Sequence, residues 1–369
     1  MVFIAFCSGA LYAQAPTAAA QPEKSEPASI VEKSPLRFGV FVDTYYAASV
    51  NLPSSPDRQY LTQVARDREF NINLAHVEAV LDDARVRGRL AIQYGTSVMA
   101  NYQAESTTGK YSNRESVRNI QEAFAGYKFF NALWLDAGIF FGNIGFENWI
   151  SHANWNYTRA LNAENTPYYA SGIRFSWDAT AKLQLQLLIV NGWQEITPIN
   201  RDPALGTKIS YEFNTKWRLT YNTFAGNVMP ESQTPQYRFY NNLILEYSPF
   251  SDLKFAASAN AGLQQNASGS GFTNWYAGTL YAHWIITTQF SATLRLEYFY
   301  DPKQIILLTS TENGYQVGGI TAGFDYRPEK IYVLRFEYRN FFSRDSIYNH
   351  RDQARPQEHI FAVAASLKI

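Results

Sequence analysis

The side chains best suited to metal or proton chemistry in this chain are five histidines: His76, His152, His283, His350 and His359. They are scattered, and no two stand at a metal-ligand spacing. No G-x-S-x-G elbow and no phosphate-binding P-loop occurs. Cys7 is the only cysteine, so a chain trimmed beyond it has no disulfide, thiol nucleophile or thiolate metal site. Gly138, Gly142 and Gly145 are loosely spaced, but no helix follows them to hold a phosphate. They suit a strand bend and a tight loop instead. With no nucleophile, base and orienting group in reach of one another, the expectation is a non-enzyme with no cofactor and no metal. The charge pattern is more informative. Arg85, Arg87 and Arg89 alternate, as do Arg295 and Glu297, and Arg335, Glu337 and Arg339. Side chains two residues apart share one face of a strand. A wall built this way carries a row of fixed charges along one face.

The elements that must hold those charges are strands throughout. Leu294, Leu296, Tyr298 and Tyr300 alternate with Thr293, Arg295, Glu297 and Phe299. Tyr332, Leu334, Phe336 and Tyr338 alternate with Val333, Arg335, Glu337 and Arg339. This period of two recurs from Leu36 almost to the last residue and predicts strands near 36–50, 70–81, 85–94, 117–129, 133–141, 168–177, 182–191, 206–213, 216–224, 237–247, 253–264, 274–285, 291–300, 315–326, 331–341 and 358–369. In the second strand the apolar face changes parity after Phe70, Ile72 and Leu74, which predicts a bulge near Ala75–His76. Connections alternate. Short turns near 82–83, 131–132, 178–180, 214–215, 249–252, 287–290 and 328–330 are interleaved with long loops near 51–68, 102–116, 143–166, 193–204, 226–236, 265–272, 301–314 and 343–357.

That asymmetry belongs to barrels that cross a membrane, with short periplasmic turns and long outer loops. The chain has 369 residues, zero formal net charge, 25 Phe, 25 Tyr and 8 Trp. It contains no run of about 18 apolar residues, so a membrane helix is excluded by length. A mean hydropathy of -0.28 suits strands with one polar face. Zero net charge gives nucleic acid no basic footprint. Aromatic residues gather near strand ends at Tyr45, Tyr46, Tyr94, Phe141, Trp177, Trp217, Tyr247, Tyr298, Tyr300 and Tyr338, as interfacial girdles do. The fold expected is all-β: a transmembrane antiparallel up-and-down β-barrel of 16 strands, with 14 or 18 also compatible, in the bacterial outer membrane.

In such a barrel the charged face turns inward. Asp136, Arg174, Arg238, Arg295, Glu297, Arg335, Glu337 and Arg339 are then the expected pore lining. Asp43, Arg85, Arg87, Arg89, Glu212, Arg218, Glu246 and Asp325 are expected on the same inner face. Their mixed signs favour a transverse field that orients polar solutes over strong ion selectivity; opposite charges on neighbouring strands would also brace the wall. The longest loop, 143–166, carries Glu147 and Arg159, the expected pore constriction. Residues 1–13 read as a secretory signal ending at Ala13, although no basic region precedes the apolar segment and Leu11 fits the minus-three position poorly. Residues 14–35, rich in Ala, Pro, Glu, Lys and Ser, read as a disordered linker, which leaves 36–369 for the barrel.

The G-I-F-F-G-N-I-G-F-E stretch at 138–147, Tyr157-Thr158-Arg159, the Tyr169–Gly172 run and the opening G-V-F-V-D-T-Y-Y at 39–46 resemble the OmpL-like β-barrel porin family. The resemblance covers 36–369 and implies an outer-membrane porin whose solutes are poorly defined. The chain ends in Ile369 where many outer-membrane proteins end in Phe, so the assembly signal is atypical. Passive diffusion of small hydrophilic solutes is the function expected. The partners are outer-membrane lipid, the solutes and the barrel-assembly machinery, and a homotrimer remains open. The alternative is a non-conducting structural or adhesive surface protein with a plugged lumen. A transporter of apolar molecules fits the charged lumen poorly.

Overall fold

The computed structural model describes residues 34–107, 114–130, 132–351 and 353–369. The signal and linker readings therefore fall outside the described residues, apart from Ser34 and Pro35. Fifteen strands follow one another as β1 (Leu36–Ser49), β2 (Phe70–Asp82), β3 (Val86–Tyr94), β4 (Ile120–Phe130), β5 (Leu133–Phe141), β6 (Tyr169–Asp178), β7 (Leu183–Val190), β8 (Ala204–Asn214), β9 (Trp217–Asn227), β10 (Tyr237–Tyr247), β11 (Leu253–Gln265), β12 (Phe272–Ile285), β13 (Phe290–Asp301), β14 (Tyr315–Glu329) and β15 (Tyr332–Ser343). A small hairpin, β16 (Tyr348–His350) with β17 (Gln353–Arg355), interrupts the last long loop before β18 (Gln357–Lys368). Each barrel strand pairs antiparallel with its chain neighbour, and β18 closes on β1 from Phe41 opposite Lys368 to Ser49 opposite Ile360. The barrel has sixteen strands, and closure leaves no unpaired edge in lipid.

The short turns are set by side chains that cap their own backbone. Asp83 Oδ1 accepts from Ala84 N at 2.7 Å. Thr180 Oγ1 accepts from Lys182 N and Leu183 N at 3.1 and 3.0 Å. Asn214 Oδ1 accepts from Lys216 N and Trp217 N at 2.9 and 3.1 Å. Thr287 Oγ1 accepts from Gln289 N and Phe290 N at 3.2 and 3.1 Å. Asp, Asn and Thr are favoured in turns because they make such bonds.

The outer face is apolar and bare of protein. Leu187, Leu243, Leu280, Leu294 and Leu296 are all exposed. Each would cost water about 1.5–3 kcal/mol. A few such residues would match the whole stability of an ordinary domain, so this band belongs in lipid. Aromatic pairs sit at the strand ends. Trp217 stacks on Tyr247 at 4.0 Å between ring centroids, and Phe290 on Tyr326 at 4.8 Å. At the other end Tyr46 meets Phe70 at 4.8 Å. Tyr45 and Phe141 do not belong to these girdles. Tyr45 faces inward, where its hydroxyl meets Thr96 Oγ1 at 3.1 Å. The Phe141 ring lies 5.6 Å from the Arg89 guanidinium inside the barrel.

The bulge lies at Asn73, two residues before its expected place: Asp43 pairs with Leu74 and Thr44 with Ile72. Asn73 and Leu74 both turn inward. Asn73 Nδ2 donates to Asp43 Oδ2 at 2.9 Å, while Leu74 joins an apolar cluster with Phe41 and Trp149. Arg85 lies in the exposed turn before β3 rather than on the strand. The second long connection carries helices absent from the expectation: α1 (Thr96–Asn101) and α2 (Arg114–Val117) sit between β3 and β4.

Candidate functional site

The connection between β5 and β6 folds into the barrel. Gly138 and Gly172 face each other across the two strands with φ of +135° and +154°. A Cβ at either would stand 2.2 Å from a backbone carbonyl oxygen, that of Ala123 or Ile189, so only glycine lets the wall bend there. Beyond the bend Asn143 Nδ2 donates to Thr207 O at 2.8 Å. Gly145, with φ +100°, donates its N–H to Asn242 Oδ1 at 3.2 Å. The chain has thus crossed to the inner faces of β8 and β10. The Asn154 side chain then ties a short turn, its Oδ1 accepting from Asn148 N at 2.7 Å and its Nδ2 donating to Asn148 O at 2.8 Å.

The same segment is clamped to the inner faces of β13 and β15. Arg335 donates to the carbonyls of Ser151, Asn154 and Asn156 at 2.9, 2.7 and 3.2 Å and to Asp325 Oδ2 at 2.9 Å. Glu337 accepts from Tyr157 N and Thr158 N at 2.8 and 3.2 Å, and from the Thr158 hydroxyl. Arg295 donates to Thr158 O and pairs with Glu147 at 2.9 Å. Glu297 accepts from Leu161 N and pairs with Arg339 at 2.9 Å. A buried ion needs an opposite charge and filled hydrogen bonds to offset its desolvation; here loop backbone supplies much of that.

Arg159 is fully buried. Its guanidinium lies 3.5 Å from the Tyr168 ring centroid and donates to Thr62 Oγ1 at 2.7 Å and Glu164 at 3.2 Å. Glu164 also accepts from Thr62 N at 3.0 Å, so the first long loop is fastened to the inward one. Glu147 accepts from Ala160 N at 2.6 Å. Burial raises its carboxyl, and Arg295 opposes that shift. Toward the short-turn end, Asp136 binds Arg87 and Arg174 at 2.7 and 2.8 Å. Arg218 and Glu212 pair at 3.2 Å and stay wet.

A family model described as "Putative beta-barrel porin-2, OmpL-like" matches residues 35–369. The chain belongs to this porin family. Its barrel is similar to outer-membrane expressed OmpT of Vibrio cholerae, with a TM-score of 0.59, 8% identity, and 90% of this chain and 97% of that one covered. It is also similar to the anion-selective porin from Comamonas acidovorans, with a TM-score of 0.59, 11% identity, and 90% and 99% covered. A third similar structure is the outer membrane channel DcaP of Acinetobacter baumannii, with a TM-score of 0.57, 12% identity, and 90% and 97% covered. At these identities the likeness is one of fold. No curated relative matches the sequence. The porin resides in the bacterial outer membrane.

Within the porin, Glu147, Arg295, Glu297, Arg335, Glu337 and Arg339 come together in one clamp. Asp136 and Arg174 form a separate cluster, and Arg159 a third. Arg238 stands apart from all of them. It bonds the side-chain oxygen of Gln264 through Nε and Nη2 and borders a cavity of about 180 Å³ beside Trp193, Gln194, Thr166 and Ile306. Sequence reasoning missed Gln194 and Trp193 as neighbours of Arg238. The signal available was only that the 193–204 loop opens on an aromatic and an amide.

Proposed function

We propose that this porin passes small hydrophilic solutes passively through a lumen narrowed by the 143–166 loop. The observation that carries the reading is the loop held inside the barrel by the clamp. Loop backbone is fastened to β13 and β15, while the cavity at Arg238 remains between the loop's far end and the loops that follow β7 and β13. In this reading Glu147 and Arg159 set the constriction by fixing the loop. Arg295, Glu297, Arg335, Glu337 and Arg339 secure it, Asp136 and Arg174 brace the wall toward the short-turn end, and Arg238 borders the narrow passage. No bond is made or broken. The working assembly is a homotrimer, supported by the trimer form of the similar V. cholerae OmpT. Outer-membrane lipid covers the apolar band, and the barrel-assembly machinery is the folding partner. Single-channel recording of the chain from Gln14 tests this. Discrete steps are expected, with larger conductance once 148–162 is deleted; unchanged conductance sinks the constriction.

One observation favours a second reading, a non-conducting surface protein. Leu61, Val64, Tyr157, Leu161, Ile347 and Tyr348, all from long loops, form one buried apolar cluster with inward wall residues. A folded, membrane-inserted barrel that gives no conductance steps would establish that reading.

A further inference from the structure

The cavity beside Arg238 has several donors and no carboxylate in its lining. Arg238 is 8% exposed, and both of its described hydrogen bonds run through Nε and Nη2 to one neutral oxygen. Its Nη1 has no partner among the described residues. The guanidinium lies 4.9 Å from the Trp193 ring centroid. Among the described residues no carboxylate forms an ion pair with it, unlike the clamp arginines. The two acids that act on it from a distance are Asp301 and Glu195. Asp301 is occupied by the backbone N–H groups of Ile305, Ile306 and Leu307 at 2.9, 2.7 and 3.1 Å. Those bonds shape the turn that presents Ile305 and Ile306 to the cavity. Glu195 accepts from Ile199 N at 3.2 Å, and burial pushes its carboxyl up to about 7, which weakens its opposing charge.

Two further polar residues of the lining add donors. Gln194 Oε1 is taken by Tyr168 N at 2.9 Å, which fixes the amide orientation and leaves Nε2 free to donate. Thr166 contributes a hydroxyl. Asn165 also borders the cavity, its Nδ2 donating to Leu161 O at 2.7 Å, and the rest of the lining is apolar: the indole of Trp193 with Ile305 and Ile306. A volume of about 180 Å³ holds about six waters. A buried cation of this kind attracts an anion that can replace its lost hydration, and the apolar lining selects one with an organic body.

We propose that the cavity bounded by Arg238, Gln194, Thr166, Trp193 and Ile306 binds a small organic monocarboxylate. Its carboxylate sits on Arg238 Nη1 and Gln194 Nε2, and its apolar body lies against Trp193 and Ile306. This deepens the diffusion reading by naming a solute class, and it rests on that reading only for the claim that the bound anion is cargo.

The test is calorimetric titration of the full refolded barrel in detergent with benzoate, benzamide and inorganic phosphate, with tryptophan fluorescence followed in parallel. Benzoate is expected to bind and to change the fluorescence, and benzamide to bind about tenfold more weakly. Gln194→Leu removes a donor without removing the buried charge and is expected to weaken benzoate about tenfold; Arg238→Gln, where it folds, should abolish binding. Equal affinity for benzoate and benzamide, phosphate binding as tightly as benzoate, or benzoate affinity unmoved in Gln194→Leu would each overturn the assignment. Benzoate binding in a barrel that gives no conductance keeps the site and removes the diffusion reading. Conductance without benzoate binding removes the site alone.

Discussion

Replacing Glu337 by Ala should free the inward loop while leaving the wall intact. Glu337 is buried and accepts two loop N–H groups and one loop hydroxyl. Among the described residues it makes no ion pair within the wall, because Arg339 is held by Glu297 and Arg335 by Asp325. Hydrogen bonds to a charged group contribute about 1.5–3 kcal/mol each. Losing the two backbone bonds alone costs the seated loop roughly 3–6 kcal/mol. Water entering the gap recovers part of this, and the three carbonyls on Arg335 still hold the neighbouring turn. A net shift of about 1.4 kcal/mol is a tenfold change in the open population. Arg159 supplies a direct reporter, because trypsin cuts after arginine and this one is fully buried. Tryptic cleavage between Arg159 and Ala160 in the folded barrel should accelerate by at least about tenfold, with Glu337→Gln intermediate. Fragment masses identify the cut, and an unboiled gel shows that the barrel is still folded. A folded Glu337→Ala barrel that resists cleavage as the parent does would refute the clamp.

Gly138→Val tests the bend. Its Cβ would meet Ala123 O at 2.2 Å, with φ at +135°. The folded fraction after refolding should fall steeply, whereas Gly145→Ala, with nothing within 4 Å of its Cβ, should cost about 1–2 kcal/mol from its left-handed backbone alone. Glu195 gives a pH dependence to the loop after β7. Its folded carboxyl titrates at about 7 against an ordinary 4.5, chiefly through burial, with Glu105 adding repulsion. The folded state keeps the proton longer than the unfolded state, so loop stability falls as pH rises from about 4.5 to about 7 and is flat above. Amide exchange across 193–203, corrected for intrinsic rate, should show more opening at pH 8 than at pH 5. Glu195→Gln should abolish the difference.

The wall was legible because its period of two leaves no choice. Leu294 and Arg295 cannot share a face, and Thr180 or Asn214 can cap a turn wherever the fold places it. What period cannot give is the path of a loop. The alternating charges at 295–297 and 335–339 identified the inner face, but not that their partners would be the backbone of residues 151–161. Main-chain carbonyls carry no signature in a sequence. The same limit misplaced the bulge. Leu74 is apolar and in phase with Ile72, so it reads as lipid-facing, yet it packs inward on Phe41 because Asn73 and Leu74 turn the same way. Tyr45 and Phe141 failed as girdle residues for a related reason: an aromatic at a strand end serves lipid or core equally well, and only the neighbouring helix or loop decides.

The clamp also bears on how the barrel comes together. The loop leaves the sheet after β5, but its ligands lie on β13 and β15, more than a hundred residues later in the chain: Leu161 N to Glu297 spans 136 positions, and Arg335 to Ser151 spans 184. Closing contacts over such distances is slow. Until the last strands are in place Arg295, Arg335 and Arg339 stay hydrated in an unsealed sheet. Seating the loop is then the step that dries them, and it can occur only once the charges stand in their final register. A barrel with its strands out of register would present these arginines to the wrong carbonyls and keep its interior wet. The buried ions therefore favour the correct register during assembly, because the loop can seat fully only in a correctly paired cylinder.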